Sequence, residues 1–328
     1  MWWTRMVFVA PGVAGGVPAT TMTRSPRRHT PRWTSAESTD GAGQSVVDGL
    51  VRLLDLEPIE ENIFRGLSPK VSLQRVFGGQ VAGQALVAAG RTVSQDRSVH
   101  SLHSYFIRPG DPAVPIVYTV DRLRDGRSFS IRRVTAVQHG QPIFVLSASF
   151  QLAQGGIDHQ TPMPDVPPPE SLPTIDERYQ GYDQIAAMYR RFPRPFDLRY
   201  VDDPAWVQRA RGPRDAGPHR VWLRADGRLP DDPLVHVCAL TFASDLTLLE
   251  SVLVHHGLAW GIDPVISASL DHAMWFHRPF RADEWFLYDM SSPSASGGRG
   301  LAMGQLFAKD GRHIASVVQE GMMRVPSA

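Results

Sequence analysis

Apolar positions along the chain fall into two alternating kinds of pattern. Val46, Val47, Leu50, Val51, Leu53 and Leu54 follow the three-to-four-residue period of an amphipathic helix, predicted over 45–56. A second helix is predicted over 80–92 from Val81, Ala82, Ala85, Leu86, Ala88 and Ala89, with Gly83 inside it. Its small residues cover several faces, which suits a helix that a sheet approaches closely; such packing offsets the roughly 1 kcal/mol that an interior glycine costs. Period-two segments follow, predicting strands at 100–107, 116–124, 128–138 and 142–152, with shorter ones near 62–67 and 74–77. Asp125-Gly126 and His139-Gly140 stand between successive strands as hairpin signals.

The same grammar recurs in the second half. Ser244 and Asp245 stand just ahead of the apolar run Leu246, Leu248, Leu249, Val252, Leu253 and Val254, so one of them is expected to cap the start of a buried helix that Gly257 closes. A long strand is expected over 266–278. Short matches tie the halves together: Tyr105-Phe-Ile-Arg-Pro109 answers Trp275-Phe-His-Arg-Pro279, Gly126-Arg127 answers Gly298-Arg299, and the turn at Gly140 answers Asp310-Gly311. The offset stays at about 170 positions, the mark of an internal duplication packed as a pseudo-dimer. Between the halves, MPDVPPPESLP is too rich in proline for a strand or helix interior. The expected organisation is therefore a disordered tail over 1–44, a first module over 45–152, a linker over 153–195 with a short helix near 185–191, and a second module over 196–328. The tail shows no apolar face, so its removal is expected to leave folding intact.

Composition narrows the classes of function. With 328 residues, 42% hydrophobic positions and a formal charge of +1, the chain has an ordinary globular balance and no field suited to nucleic acid. Arg24, Arg27, Arg28 and Arg32 read as a solvated arm. The opening apolar run is short and interrupted by Pro11, so it does not read as a secretory signal, and no stretch is long enough to span a bilayer. Cys238 is the single cysteine, which rules out an internal disulfide and fits a cytoplasmic protein. There is no G-x-S-x-G elbow, no H-E-x-x-H helix and no phosphate-binding Walker loop. His255 and His256 are adjacent and cannot share a helix face, the other histidines scatter, and Gly297-Gly298-Arg299-Gly300 reads as a hairpin turn. No metal and no other cofactor is expected.

Several long stretches carry a family resemblance. RVFGGQVAGQALVAAGRTV and VHSLHSYFIRPG in the first half, with SDLTLLES, SLDHAMWFHRPF and ASVVQEGMMR in the second, resemble the acyl-CoA thioesterase II family. The resemblance covers the chain from about Val46 to Arg324. It implies an α+β double hotdog, two tandem modules in which an antiparallel sheet wraps a long helix, and here it agrees with the pattern of the residues.

It also implies a site. In that family an Asp at the start of the second helix, a Thr on the following strand and a Gln on the last strand hold and activate a water. Asp245 matches the first and Gln319 the third; Ser269 stands where the family has Thr, keeping the hydroxyl but losing the β-branch. Each also has an ordinary reading: Asp245 as an N-cap, Ser269 as a satisfied strand hydroxyl, Gln319 as a surface amide. A carboxylate at a helix N-terminus would be held as the anion, whereas burial would push the other way. An oxyanion donor is expected from a backbone N–H of the opposing helix start, near 78–80. The implied activity is hydrolysis of medium- or long-chain acyl-CoA by an activated water, in a homo-oligomer whose partner is its acyl-CoA substrate. The alternatives are an acyl-CoA-binding protein without turnover and a hotdog enoyl-CoA hydratase, the latter opposed by the lack of an Asp-x-Asn-Pro-x-His stretch.

Overall fold

The computed structural model describes Trp33 and residues 41–69, 75–190, 194–213 and 217–326. The helices are α1 Gly41–Leu54, α2 Gly78–Gly90, α3 Ile175–Arg178, α4 Asp183–Arg190, α5 Ala205–Gln208, α6 Pro233–Ser244 and α7 Glu250–His255. The strands are β1 Glu57–Glu60, β2 Ile63–Gly66, β3 Arg97–Phe106, β4 Ile116–Asp125, β5 Phe129–Gln138, β6 Gln141–Leu152, β7 Phe196–Tyr200, β8 His219–Ala225, β9 Ile266–Ser269, β10 Asp271–Phe276, β11 Phe286–Ser296, β12 Arg299–Ala308 and β13 His313–Arg324.

The strands form one antiparallel sheet in the order β1-β2-β4-β5-β6-β3-β10-β13-β12-β11-β8-β7, with β9 beside β13. That order reads the same from either end once β3 is equated with β10, β6 with β13, β5 with β12 and β4 with β11. The duplication is thus a pseudo-twofold axis through the β3–β10 pair, where Ala273 faces His103 and Trp275 faces Ser101. Period-two patterning made the strands legible: β5 buries Ser130, Arg132, Val134, Ala136 and Gln138 on one side and presents the alternate residues outward. Its link to β6 is a two-residue turn in which His139 and Gly140 both have positive φ, the backbone a tight hairpin requires.

Helices α2 and α6 lie against each other inside the curve of the sheet, each all but enclosed. Small residues set their separation: a side chain added at Gly83 would meet the Cys238 carbonyl at 3.2 Å and Leu54 at 3.1 Å. The predicted helix over 80–92 therefore starts slightly earlier, and that over 45–56 becomes α1. Residues 75–77 form no strand, contrary to expectation, and Gln74 lies outside the described residues. Most of the expected tail also lies outside them. Trp33 does not behave as tail: it is buried, donates from Nε1 to Asp232 Oδ2 at 2.9 Å and carries the Arg91 guanidinium over its ring.

The larger correction concerns the second buried helix. It begins at Pro233 with Asp232 as its N-cap, the side chain accepting from Leu234 N–H at 3.0 Å, and it ends at Ser244. The signal was Asp232-Pro233, a capping residue followed by a proline that needs no N–H donor in the first turn. Asp245 is the C-cap of α6, not an N-cap, and a turn separates it from α7. The predicted strand over 266–278 is likewise broken: Ser269 faces Gly321 while Ala273 faces Val318, so one extra residue bulges from the strand between them.

Residues 153–168 carry no regular secondary structure. From Asp158 onward the segment is tied down, Arg278 pairing with Asp158 and donating to the His159 carbonyl, Gln160 donating to the Gly311 carbonyl at 2.8 Å and the Pro167 carbonyl accepting from Trp222 Nε1 at 3.0 Å. Ahead of these ties, Gly155, Gly156 and Ile157 are exposed, Ile157 completely. Limited proteolysis is expected to nick the chain at 153–158, and the two fragments are expected to co-elute on native gel filtration because β3 and β10 remain paired. Fragments that separate would show that this pair does not hold the halves together.

Candidate active site

The two antiparallel central helices bring the C-terminal end of α6 to the N-terminal end of α2. Phe77, the N-cap of α2, offers no capping side chain. Asp245 takes that role from the other half of the chain, its Oδ2 accepting from Gly79 N–H at 2.8 Å. Two glycines permit the approach: a side chain at Gly78 would lie 2.6 Å from Asp245 Oδ2, and one at Gly79 would lie 2.5 Å from the Phe242 carbonyl. Asp245 itself has φ −90° and ψ 0°, the sparsely populated bridge region in which many active-site residues sit.

Ser269 and Gln319 reach the same carboxylate from the sheet. Gln319 Nε2 donates to Asp245 Oδ1 at 2.7 Å and to Ser269 Oγ at 2.9 Å, while Ser269 Oγ is 3.5 Å from Asp245 Oδ1. The strand bulge makes this possible. Three positions separate Ser269 from His272, which in an unbroken strand would place them on opposite faces; the extra residue turns both inward. Gln319 is fully buried rather than a surface amide, and Ser269 is bonded to the two other predicted residues. All three sequence-predicted residues therefore meet at one point.

Electrostatics set the carboxylate apart. Burial pushes the Asp245 carboxyl from its ordinary 3.8 up to about 6, opposed by the hydrogen bonds from Gln319, Gly79 and Ser269. The N-terminus of α2 favours its anion, but the C-terminus of α6, on which Asp245 sits, opposes it. A single helix-start argument is thus replaced by two helix ends of opposite sign. The site opens on a cavity of about 290 Å³ lined by Val76, Gly78, Val81, Phe106, Ile143, Phe144, Ser269 and Leu270. Arg75 and Arg108, both exposed, line it as well.

The duplication supplies an internal comparison. Arg91 is the C-cap of α2 as Asp245 is of α6. Val99 precedes the matching bulge in β3, and Ala148 faces Leu102 on β6 and β3. The twin positions of Asp245, Ser269, Gln319 and His272 are therefore Arg91, Val99, Ala148 and Leu102. One half carries a carboxylate with polar partners; the other carries an arginine and aliphatic side chains. Sequence reasoning expected an oxyanion donor near 78–80 but not the bond from Gly79 N–H to Asp245, although FGGQ, a glycine pair at a helix start, was a readable sign of close approach, and it passed over His272.

Among the described residues no group of three or more His, Cys, Asp and Glu is placed to hold a metal ion. No helix among them is long and apolar enough to cross a membrane.

Comparison with known proteins shows the family and the fold. A family model for acyl-CoA thioesterase matches residues 192–322, and one for the acyl-CoA thioesterase N-terminal domain matches residues 67–151. The chain is 43% identical over 286 residues to acyl-coenzyme A thioesterase 8 of Homo sapiens, covering 83% of this chain and 88% of that protein. It is 38% identical to acyl-CoA thioesterase 2 of Haemophilus influenzae, covering 85% and 98%. Among solved structures, the acyl-CoA thioesterase II TesB2 from Mycobacterium marinum superposes with a TM-score of 0.70 at 48% identity, covering 85% of this chain and 99% of that one. A protein from Alicyclobacillus acidocaldarius described as having a hot dog fold superposes at 0.68 with 20% identity, covering 85% and 99%, which speaks to the fold alone. The fold is the double hotdog.

The raised Asp245 carboxyl has a consequence for stability. A group bound to its proton more tightly in the folded than in the unfolded chain stabilises fully below about pH 3.8, and that contribution is lost as pH rises through about 6. Above pH 6 the folded chain holds an anion at a cost of roughly 2–3 kcal/mol. Asp245→Asn, which keeps a polar cap for Gly79, is expected to raise the unfolding free energy at pH 7.5 by up to about 2 kcal/mol and to give no gain at pH 4. Denaturant unfolding at both pH values checks this; a gain of equal size at pH 4 would contradict it.

Proposed function

The chain belongs to the acyl-CoA thioesterase family, and from that premise we propose that it hydrolyses acyl-CoA to free fatty acid and CoA with Asp245, Ser269 and Gln319 as its catalytic residues. The single observation that carries the assignment is the convergence of all three on one partly buried carboxylate beside an apolar cavity. A carboxyl whose proton leaves near pH 6 is ionised at neutral pH yet basic enough to accept a proton in the transition state.

In this reading the Asp245 carboxylate orients a water and takes its proton as the water oxygen attacks the thioester carbonyl carbon. Ser269 Oγ gives that water its second fixed contact, and Gln319 holds Ser269 and Asp245 in register. The carbonyl oxygen becomes an oxyanion received by first-turn amides of α2, which have no partner within the helix. Gly79 N–H, in the expected stretch, is already bonded to Asp245, so the donors are the amides beside it, with Gly78 on the cavity wall. Collapse breaks the carbon–sulfur bond, and the thiolate leaves with the proton Asp245 took up. No step calls for a metal or prosthetic group.

The apolar cavity walls suit a medium or long acyl chain, and Arg75 and Arg108 suit the phosphates of CoA. The two modules are read as 45–152 and 196–328 with 153–195 as the connector. Tyr105, Val117, Phe129 and Met303, exposed apolar side chains on β3, β4, β5 and β12, support a homo-oligomer. The lone buried thiol of Cys238 fits a reducing, cytoplasmic setting.

Thiol release from acyl-CoA of graded chain length tests the assignment. Asp245→Asn is expected to lower kcat by roughly a hundredfold or more while binding of acyl-CoA persists. Ser269→Ala is expected to cost roughly tenfold in kcat, whereas Ser269→Thr keeps activity. Unchanged turnover by Asp245→Asn would reduce Asp245 to a cap, and full turnover by Ser269→Ala would remove Ser269 from the mechanism.

A further inference from the structure

His272 stands one residue beyond the Ala273–Val318 pair, across the sheet from Gln319. Both side chains are buried. Gln319 Nε2 spends its two hydrogens on Asp245 and Ser269. Its Oε1 therefore points away from the carboxylate, and among the described residues that buried oxygen has no hydrogen-bond partner. One ring nitrogen of His272 is in the same condition, Nδ1, and the Gln319 and His272 side chains lie within interaction range of each other. Two orphaned polar atoms, one needing a donor and one able to be a donor, thus belong to neighbouring side chains next to the site.

We propose that His272 is a positioning residue, present as the neutral Nδ1–H tautomer, whose N–H engages Gln319 Oε1 and so fixes the amide with its N–H groups toward Asp245 and Ser269. The inference rests on the functional reading of Asp245, Ser269 and Gln319. Burial holds His272 far below its ordinary value, to about 4, so the ring is neutral at working pH and carries one hydrogen. Which nitrogen carries it follows from the neighbours. Nε2 lies 2.9 Å from Ser244 Oγ, and Ser244 Oγ also lies 2.9 Å from the Thr241 carbonyl. With the hydrogen on Nδ1, Ser244 O–H donates to Nε2 and Nδ1–H donates to Gln319, and the acceptors left opposed are Ser244 Oγ and the Thr241 carbonyl. With the hydrogen on Nε2, Ser244 can donate to Thr241, but Nδ1 and Gln319 Oε1 then meet lone pair to lone pair. Bond count and opposed contacts are equal, and the difference is that only the first tautomer gives a donor to Gln319 Oε1, buried and otherwise without a partner among the described residues, which decides for the first.

The amide has an alternative that this contact forbids. Turned over, Gln319 would point Oε1 at the carboxylate, repelling the anion and withdrawing the donor from Ser269. The duplicated half offers independent support. There Ala148 replaces Gln319 and Leu102 replaces His272, so the histidine and the glutamine are present together or absent together within one chain. A histidine needed only to fill the sheet's inner face would have no reason to follow the amide.

The test is the tautomer itself, read on the wild-type protein with ¹⁵N-labelled histidine, the His272 signals being those lost in His272→Asn. A protonated Nδ1 and an unprotonated Nε2 are expected; a protonated Nε2 overturns the proposal whether or not the enzyme is active, and so separates it from the fate of Asp245. Kinetics supply the second reading. His272→Asn places an amide N–H near the position of Nδ1 and is expected to retain kcat within about threefold. His272→Leu, the residue of the twin position, is expected to lose about tenfold or more in kcat with little change in KM, and to add nothing further in a Gln319→Ala background. Equal kcat in His272→Leu and His272→Asn, or full additivity with Gln319→Ala, overturns the positioning role.

Discussion

The pairing of β3 with β10 is the constraint on which the rest depends. It joins two modules edge to edge in one antiparallel sheet, and the pseudo-twofold it creates sets α2 and α6 side by side in opposite directions. Only in that arrangement can a residue leaving the end of α6 cap the start of α2. The Asp245–Gly79 hydrogen bond is therefore a product of the fusion: the carboxylate comes from one half and the amide from the other, 166 positions apart. A module alone would hold neither a complete site nor a covered helix.

The pseudo-twofold also exposes a division of labour between two geometrically equivalent ends. At the C-terminus of α2 stands Arg91, whose charge complements the negative end of the helix dipole and which pairs with Asp55 in a largely buried ion pair. Facing it, α6 caps itself with Asp232. That end satisfies its own backbone and charges. At the other end Asp245 places a carboxylate on the negative end of α6, and Phe77 leaves α2 without a cap of its own. Burial is what raises this carboxyl to about 6, and its place on the negative end of α6 does nothing to relieve that cost.

Legibility in the sequence followed the range of the interactions. The long strands of the first module were readable because alternation is set by neighbours two positions apart, and the duplication was readable because it repeats short motifs. The start of α6 was misplaced because Ser244-Asp245 before an apolar run imitates a cap, while the true Asp232-Pro233 signal lies twelve residues upstream. Asp245, Ser269 and Gln319 came through family resemblance; nothing local in the chain marks them. Trp33, His272 and the bond from Gly79 to Asp245 escaped because they depend on contacts across the sheet or between halves, as does the bulge that turns Ser269 inward.

A hydrogen-bond inventory at the carboxylate shows which face remains for chemistry. Asp245 Oδ1 accepts from Gln319 and lies near Ser269 Oγ, which uses that oxygen's capacity. Among the described residues Oδ2 accepts only from Gly79 N–H, which leaves it one lone pair. Gly78, which lines the cavity, stands on that side, and any side chain there would come within 2.6 Å of Oδ2 and close the approach. Ser269 Oγ, also on the cavity wall, accepts from Gln319 and keeps a second lone pair. The open acceptors are thus one on Asp245 and one on Ser269, both reached from the cavity. In the proposed site the contacts with Gln319 and Asp245 aim the Ser269 hydroxyl, which is the work a β-branched threonine would do through its stiffness.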